Sequence, residues 1–334
     1  MDAVDCRTDE RGAVNRGYVL TVGEAMGVAV SDVPFALNES RLLNLGVGGA
    51  ESNVAIGLAR LGVPVVWVSR VGTDSIGDLV QREIAAQGVR LYVTVDPTAP
   101  TGFMVKERRE GGDAKVTYYR ARSAASFMTR ADIPDEIIDG ARLLHVSGVM
   151  LALSPSSVDL VESVMRRARS AGAVVSFDFN YRPALWGEDE AAAAYRRVLP
   201  LSDIVFAGED EAALVVGSRD VEGLARALAE FGPASVIIKS GARGASSFVG
   251  QSFRFQPPFA VDVVDAVGAG DAFAAGYLSA VLAGSSPEAC LEVGAATGAL
   301  ACTHAGDWEG AARADEVRAF LTDHANYSKT GWTP

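Results

Sequence analysis

The sequence predicts an α/β fold: a mostly parallel central sheet flanked by helices on both faces, with a small β lid over one end. Three observations predict it. Short apolar runs alternate with amphipathic stretches from residue 18 onward, two stretches break that alternation, and the final third is helical.

The strand candidates are 18–23, 65–71, 142–147, 174–179, 203–207 and 235–239, each rich in Val, Ile, Leu or Phe and bounded by Gly, Pro or charge. Helical segments at 50–61, 76–87 and 156–171 lie between several of them. Strands separated by helices pair in parallel and are covered on both faces. Stretches 26–45 and 100–122 instead read as strand pieces with polar alternation, as in Thr117, Tyr118, Tyr119 and Arg120, and are assigned to the lid. Residues 244–256 read as a hairpin turning at Gly250 and Gln251. Helices are expected at 270–282, 287–303 and 313–323. Residues 1–16 and 326–334 read as tails, which leaves 17–325 as one domain carrying a lid.

Composition narrows the function. Thirty Lys and Arg against 42 Asp and Glu give a formal charge of −12, which opposes a polyphosphate backbone, and no dense basic stripe offsets it; a nucleic-acid partner is not expected. Cys6, Cys290 and Cys302 are odd in number and lack metal-type spacing. His145, His304 and His324 form no local metal motif. The N-terminus is acidic and polar, and no apolar run reaches membrane-spanning length, so the expectation is a cytoplasmic protein without a membrane partner.

The chemistry is carried by VVDAVGAGDAFAAG, residues 263–276. An apolar strand-like run ends in Gly268, Ala269 and Gly270, and an apolar helix begins at once. Small residues let backbone N–H groups crowd around an anion, and the helix N-terminus adds a favourable dipole. Asp271 stands in the first turn. A carboxylate beside an anion-binding loop is repelled by phosphate unless it has a task, and accepting a proton from an attacking hydroxyl is such a task. Taken alone, GAGD is equally compatible with a tight turn followed by a first-turn carboxylate.

Together with GVGGAESNVAIGLARLGVPVVWVSRVGTDSIGDLV, residues 46–80, the stretch GAGDAFAAGY resembles the two signatures of the ribokinase-like sugar kinases, the phosphofructokinase B family. There a Gly-Gly pair opens a helix, an asparagine follows, and a strand leads to a GxDxxG turn, here Gly72, Asp74 and Gly77. The resemblance spans residues 18–323. It implies a ribokinase-like fold, ATP with Mg2+, a small-molecule sugar or sugar acid as partner, and Asp271 as catalytic base beside Gly268, Ala269 and Gly270. It also implies sugar contacts from Gly49 and Asn53, and nucleotide contacts from Lys239, Ser240, Gly241, Gly244, Gly268 and Gly270. Asn53 offers both donor and acceptor from a first helical turn, which suits sugar hydroxyls and equally suits a cap. Glu211 keeps an acidic position tied indirectly to the metal and phosphates, although a solvated helix charge would read the same way; Gly208 lacks the family's polar side chain.

Within the family, YYRARSAAS (118–126), FDFNYRPALW (177–186) and GDWEGA (306–311) are similar to the 2-keto-3-deoxygluconate kinases. By position this implies Tyr118, Arg120, Arg182 and Asp307 at the substrate, with Asn180 on the nucleotide side. Two loop arginines can pair a carboxylate bidentately, or they can hold ATP phosphates instead. Met104 stands where a substrate-facing tyrosine is expected, and Ala266 replaces a threonine, which weakens any bound monovalent cation. Fructokinase or ribokinase activity is the alternative, followed by a non-catalytic sugar or nucleotide sensor, which the presence of Asp271 disfavours. A nicotinamide oxidoreductase would need GxGxxG after the first strand, where Gly23, Glu24, Ala25 and Met26 stand. The lid is expected to close on the sugar about hinges near residues 23–27 and Gly102 or Ser123, driven by a partner that Arg120 gains only then. By analogy, it also offers a surface for a homo-oligomer.

Overall fold

The apolar runs pair as expected in the computed structural model, which describes residues 17–31, 42–107 and 115–324. The expected tails lie outside the described residues, as does the middle of each lid stretch. The strands are β1 (Tyr18–Val22), β2 (Met26–Ser31), β3 (Leu43–Gly48), β4 (Val65–Gly72), β5 (Arg90–Asp96), β6 (Phe103–Glu107), β7 (Lys115–Tyr119), β8 (Ala141–Ser147), β9 (Val174–Asp178), β10 (Ile204–Gly208), β11 (Ser235–Lys239), β12 (Ala245–Val249) and β13 (Ser252–Gln256). Nine of them form one sheet in the order β13-β12-β11-β10-β9-β8-β1-β4-β5. Neighbours from β11 to β5 are parallel, and the β12–β13 hairpin closes one edge antiparallel. Its turn falls on Gly250 and Gln251, both with positive φ, the geometry whose twist suits a two-residue hairpin.

Strand β5 has no counterpart among the expected strands. It is the far edge of the sheet, and its residues alternate between exposed and half-buried, so its apolar signal is diluted. Strand β10 extends to Gly208, and β4 to Gly72, each one residue past the expected end.

The helices are α1 (Ala50–Arg60), α2 (Ser75–Ala86), α3 (Asp135–Asp139), α4 (Gly148–Leu151), α5 (Ser157–Ser170), α6 (Glu188–Val198), α7 (Glu209–Val216), α8 (Val221–Ala229), α9 (Ala269–Leu282), α10 (Pro287–Ala301) and α11 (Ala314–Asp323). One face of the sheet packs on α3–α8 around Val146, Phe177, Phe179 and Tyr195. The other packs on α1, α2 and α9–α11 around Trp67, Phe206, Phe273 and Tyr277. Among the described residues, no helix is long and apolar enough to cross a membrane.

The lid is a separate four-stranded sheet, β3-β2-β6-β7. It is mixed, since β2 and β6 are parallel while both outer pairs are antiparallel. Register places Met26, Val28, Met104, Lys106, Val116, Tyr118 and Gly48 on one face, because alternate residues share a face. Met26, Val28 and Met104 are buried there as a small cluster of their own. On the other face, Gly27 lies against Ile76 of α2 and the Phe103 ring, whereas Leu43, Leu45 and Tyr119 on the edge strands are exposed.

Helices α1 and α9 determine where the functional groups meet. A Cβ built on Gly57 would stand 2.7 Å from Ala275 Cβ, so the two helices touch almost backbone to backbone. Replacing Gly57 with leucine should overpack this contact and cost about 1–3 kcal/mol. Urea denaturation reads that loss; an unchanged midpoint would show that the helices separate freely.

Candidate active site

Strands β8, β9, β10 and β11 all end at the same edge, with Ser147 beside Asp178 and Gly208 beside Lys239. In open parallel sheets, ligands bind beyond this edge. Helices α1, α7 and α9 begin there, and α9 begins without a side-chain cap: Gly268 is the N-cap, in the left-handed conformation (φ 74°). A Cβ at Gly268 would lie 1.8 Å from the Asp307 carbonyl oxygen, so only glycine fits. The Ala269 N–H donates to the Ala266 carbonyl at 3.3 Å and the helical ladder opens with the Ala272 N–H on the Gly268 carbonyl at 2.9 Å. The Gly270 and Asp271 N–H groups between them have no intrahelical acceptor and suit an anion.

Asp271 is held from two sides. Asn53 Nδ2, on α1, donates to Asp271 Oδ2 at 2.8 Å, and Asn180 Nδ2 donates to Oδ1 at 3.3 Å. Asn53 Oδ1 in turn accepts from the Gly49 N–H at 3.4 Å. Withdrawal from water is the main cause that pushes the Asp271 carboxyl up to about 6. The Asn53 hydrogen bond opposes it, Asp178 reinforces it, and Arg182 and Lys239 pull it down. Asn180 has φ 40°, an uncommon backbone state that turns its amide toward Asp271.

Lys239 ends β11 and donates from Nζ to Asp178 Oδ2 at 2.6 Å. Burial works against its charge, but Asp178, Glu211 and Asp271 outweigh it and hold the ammonium above its ordinary value. A Cβ at Gly270 would lie 3.4 Å from Lys239 Nζ, which puts the ammonium at the start of α9. Ser240 and Gly241 begin the turn beyond, with the Ser240 N–H on the Gly244 carbonyl at 2.9 Å. Gly244 itself is required by the hairpin, since a Cβ there would strike Gln256 O at 2.3 Å.

Glu211 is a strut. Its Oε2 accepts from Gly208 N at 2.6 Å and its Oε1 from Tyr181 N at 2.7 Å, so it caps α7 and fixes the loop that carries Arg182. The solvated helix charge is thereby excluded. Arg182 is exposed and donates from Nη1 to the Tyr181 carbonyl at 3.1 Å. Among the described residues, no three His, Cys, Asp or Glu side chains are grouped to hold a metal.

The lid supplies Tyr118 and Arg120, whose guanidinium lies 5.7 Å from the Tyr118 ring centre. Arg120 corrects one expectation. It is 9 % exposed and already paired with the buried carboxylate of Glu24, which also accepts from Ser123 Oγ. It therefore does not wait for a sugar to find a partner, although its Nε has no acceptor among the described residues. Two of the expected hinges are likewise packed: Gly23 lies against the Glu51 carboxylate and Gly102 against Glu24. Asp307 reaches the site from the loop after α10 and pairs with Lys106 Nζ of β6 at 2.5 Å.

Glu51, Asp178, Glu24 and Lys106 escaped the sequence reading. Glu51 lies inside the signature of residues 46–80, and that position was the available signal. It is fully buried; Oε1 accepts from Ser147 N at 3.1 Å and Ser147 Oγ at 2.6 Å, while Oε2 has no partner among the described residues. Burial pushes its carboxyl up to about 7, against the Ser147 hydrogen bonds.

Residues 16–312 match the model of the pfkB family carbohydrate kinases. The chain is 38% identical over 308 residues to a 2-dehydro-3-deoxygluconokinase of Bacillus subtilis, covering 91% of this chain and 95% of that protein. It is 32% identical over 275 residues to a fructokinase of Klebsiella pneumoniae, covering 81% and 87%. The structure of a putative ribokinase II from E. coli in complex with ATP and Mg2+ superposes with a TM-score of 0.86 at 28% identity, covering 92% and 100%. This chain belongs to the pfkB family of carbohydrate kinases. It is a phosphotransferase with an alcohol group as acceptor, built on the ribokinase-like fold.

The Glu51 environment generates a pH prediction. A carboxyl raised from 4.5 to about 7 contributes stability that is complete below pH 4.5 and is lost as pH rises through about 7. Glu51→Gln removes that loss and should stabilise the protein at pH 8 by about 3 kcal/mol relative to its effect at pH 4.5. Urea denaturation at the two pH values reads the difference; equal effects would mean that burial does not raise the Glu51 carboxyl above its unfolded value.

Proposed function

We propose that this protein transfers the γ-phosphoryl group of ATP to a hydroxyl of a small sugar acid, 2-keto-3-deoxygluconate before others, with Asp271 as general base. The observation that carries the reading is Asp271 itself, raised to about 6, gripped by Asn53 and Asn180 and set behind the uncapped N-terminus of α9. The unit that performs it is taken as residues 17–325, with the lid within 26–45 and 100–122.

The acceptor hydroxyl lies against Asp271, which takes its proton as the oxygen forms a bond to the γ-phosphorus and the bond to the β,γ-bridging oxygen breaks; ADP leaves. Charge developing on the phosphoryl oxygens meets the N–H groups at 268–271 and the Lys239 ammonium. Magnesium enters with the nucleotide as part of the substrate, in keeping with a site whose carboxylates are spent on Lys239, Tyr181 and Gly208. Its tie to Glu211 is at most indirect.

Arg182 supports the sugar acid. It is exposed at the rim and near enough to Asp271 to lower its proton affinity, so it suits a carboxylate on the bound acceptor. The relative at 38% identity adds support. A neutral ketohexose is the second reading, favoured by Met104, which contributes a buried thioether to the lid where a hydroxyl was expected, and by the pairing of Arg120 with Glu24. The exposed Leu43, Leu45 and Tyr119 support self-association through the lid, which sedimentation would test.

Asp271→Asn keeps the size of the side chain but cannot take the proton, and turnover should fall by roughly 10²–10⁴-fold while ATP still binds. Near-normal turnover would remove Asp271 as base. In the parent protein, turnover should rise with pH through about 6 as the carboxyl ionises. An ADP-release assay across keto-sugar acids, ketohexoses, pentoses and nucleosides tests the acceptor. Arg182→Ala should weaken the sugar acid far more than any neutral sugar; equal losses would assign Arg182 to the ATP phosphates.

A further inference from the structure

We infer that Lys106 is a positioning residue that registers the lid on the anion loop through Asp307. The ion pair joins residues 201 apart, and both side chains are largely buried (9% and 10% exposed). Lys106 lies on the lid face that carries Met104 and Tyr118. Asp307 also meets that face at a second point: a Cβ on Gly48 would lie 2.8 Å from Asp307 Cγ. Its backbone carbonyl, meanwhile, is packed against Gly268, the N-cap of α9. One residue therefore touches the lid at β3 and β6 and the anion loop at its first position.

The loop that holds Asp307 is itself secured. Arg60 Nη1 donates to the carbonyls of Trp308, Glu309 and Ala311 at 3.3, 3.0 and 2.7 Å, and its guanidinium lies 5.1 Å from the Trp308 ring centre. Trp308 Nε1 donates to the Val47 carbonyl of β3 at 2.9 Å. Strand β3 is thus tied to the loop by backbone, whereas β6 reaches it through the Lys106 side chain. A desolvated ion pair adds little net attraction, because separating the lid from the loop rehydrates both ions. Its effect is selective: the seated lid disfavours either charge alone, since removing one strands the other in a dry site, whereas removing both strands neither. Lys106 thereby couples the position of the lid to the anion loop and hence to acceptor binding. This kinetic consequence rests on the acceptor site proposed above; the coupling itself does not.

The test compares Lys106→Met, Lys106→Arg, Asp307→Asn and the double variant Lys106→Met/Asp307→Asn in the full chain. Without ligand, Lys106→Met should speed amide exchange in 103–107 by at least about tenfold, Lys106→Arg should retain protection, and the double variant should lose no more than Lys106→Met. With the best acceptor of the panel, Lys106→Met should raise the acceptor KM at least about tenfold and leave the ATP KM within about twofold. Additive losses in the double variant, or unchanged exchange in Lys106→Met, would overturn the inference. If no acceptor is phosphorylated, the sugar reading fails separately and the exchange comparison still decides the coupling.

Discussion

The arrangement depends on how closely α1 approaches α9. Gly57 removes the side chain that would hold them apart, and Ala275 faces it with a single methyl group. That contact lies one turn or more inside each helix, and its consequence is felt at both N-termini. Asn53 and Asp271 come within 2.8 Å although 218 residues separate them. Each helix begins in glycines at the carboxyl edge of the sheet, so the approach of two small-residue surfaces delivers a carboxylate, its orienting amides and the N-terminus of α9 to one place.

Around that place, charge is balanced in pairs. Asp178 is answered by Lys239, Glu24 by Arg120, and Asp307 by Lys106. Asp271 is held by two amides, and burial raises its proton affinity toward neutrality against the pull of Arg182 and Lys239. The base proposed above needs this: a salt-bridged aspartate is a weaker proton acceptor, and an unheld one would not point at a hydroxyl. Glu51 lies just behind, more deeply buried, and avoids repelling Asp271 by favouring its neutral form.

The lid shows the same economy of contacts at longer range. Among the described residues, one face of the lid buries only Met26, Val28 and Met104, with Val30, Val116 and Tyr118 partly buried against them, a small apolar cluster to hold a sheet in place. Carboxylates packed against Gly23 and Gly102, where the chain passes between sheet and lid, fix the entry of the strands, and Asp74 adds a tie by accepting from both Gly77 N and Thr101 N at 2.8 Å. The lid is therefore set by polar contacts at its edges.

The sequence by itself determined the parallel sheet, the lid and the glycine-rich turn into α9, because these reside in local pattern. Apolar runs of strand length, the period of the helices, and GAGD at a strand-to-helix junction are properties of neighbouring residues. It also pointed to Asp271, Asn53, Lys239 and Asn180, which the structure brings into one cluster. The half-exposed edge strand β5 lay below that signal, since an edge buries too little to imprint a pattern. Only the tertiary structure decided the partners. That Arg120 is spent on Glu24, Glu211 on two backbone N–H groups and Asp307 on Lys106 depends on where the lid and the loop after α10 settle. A charged residue's spacing along the chain states which charge is present. Its partner, and with it its proton affinity and its task, is set by distances across the fold that no local pattern encodes.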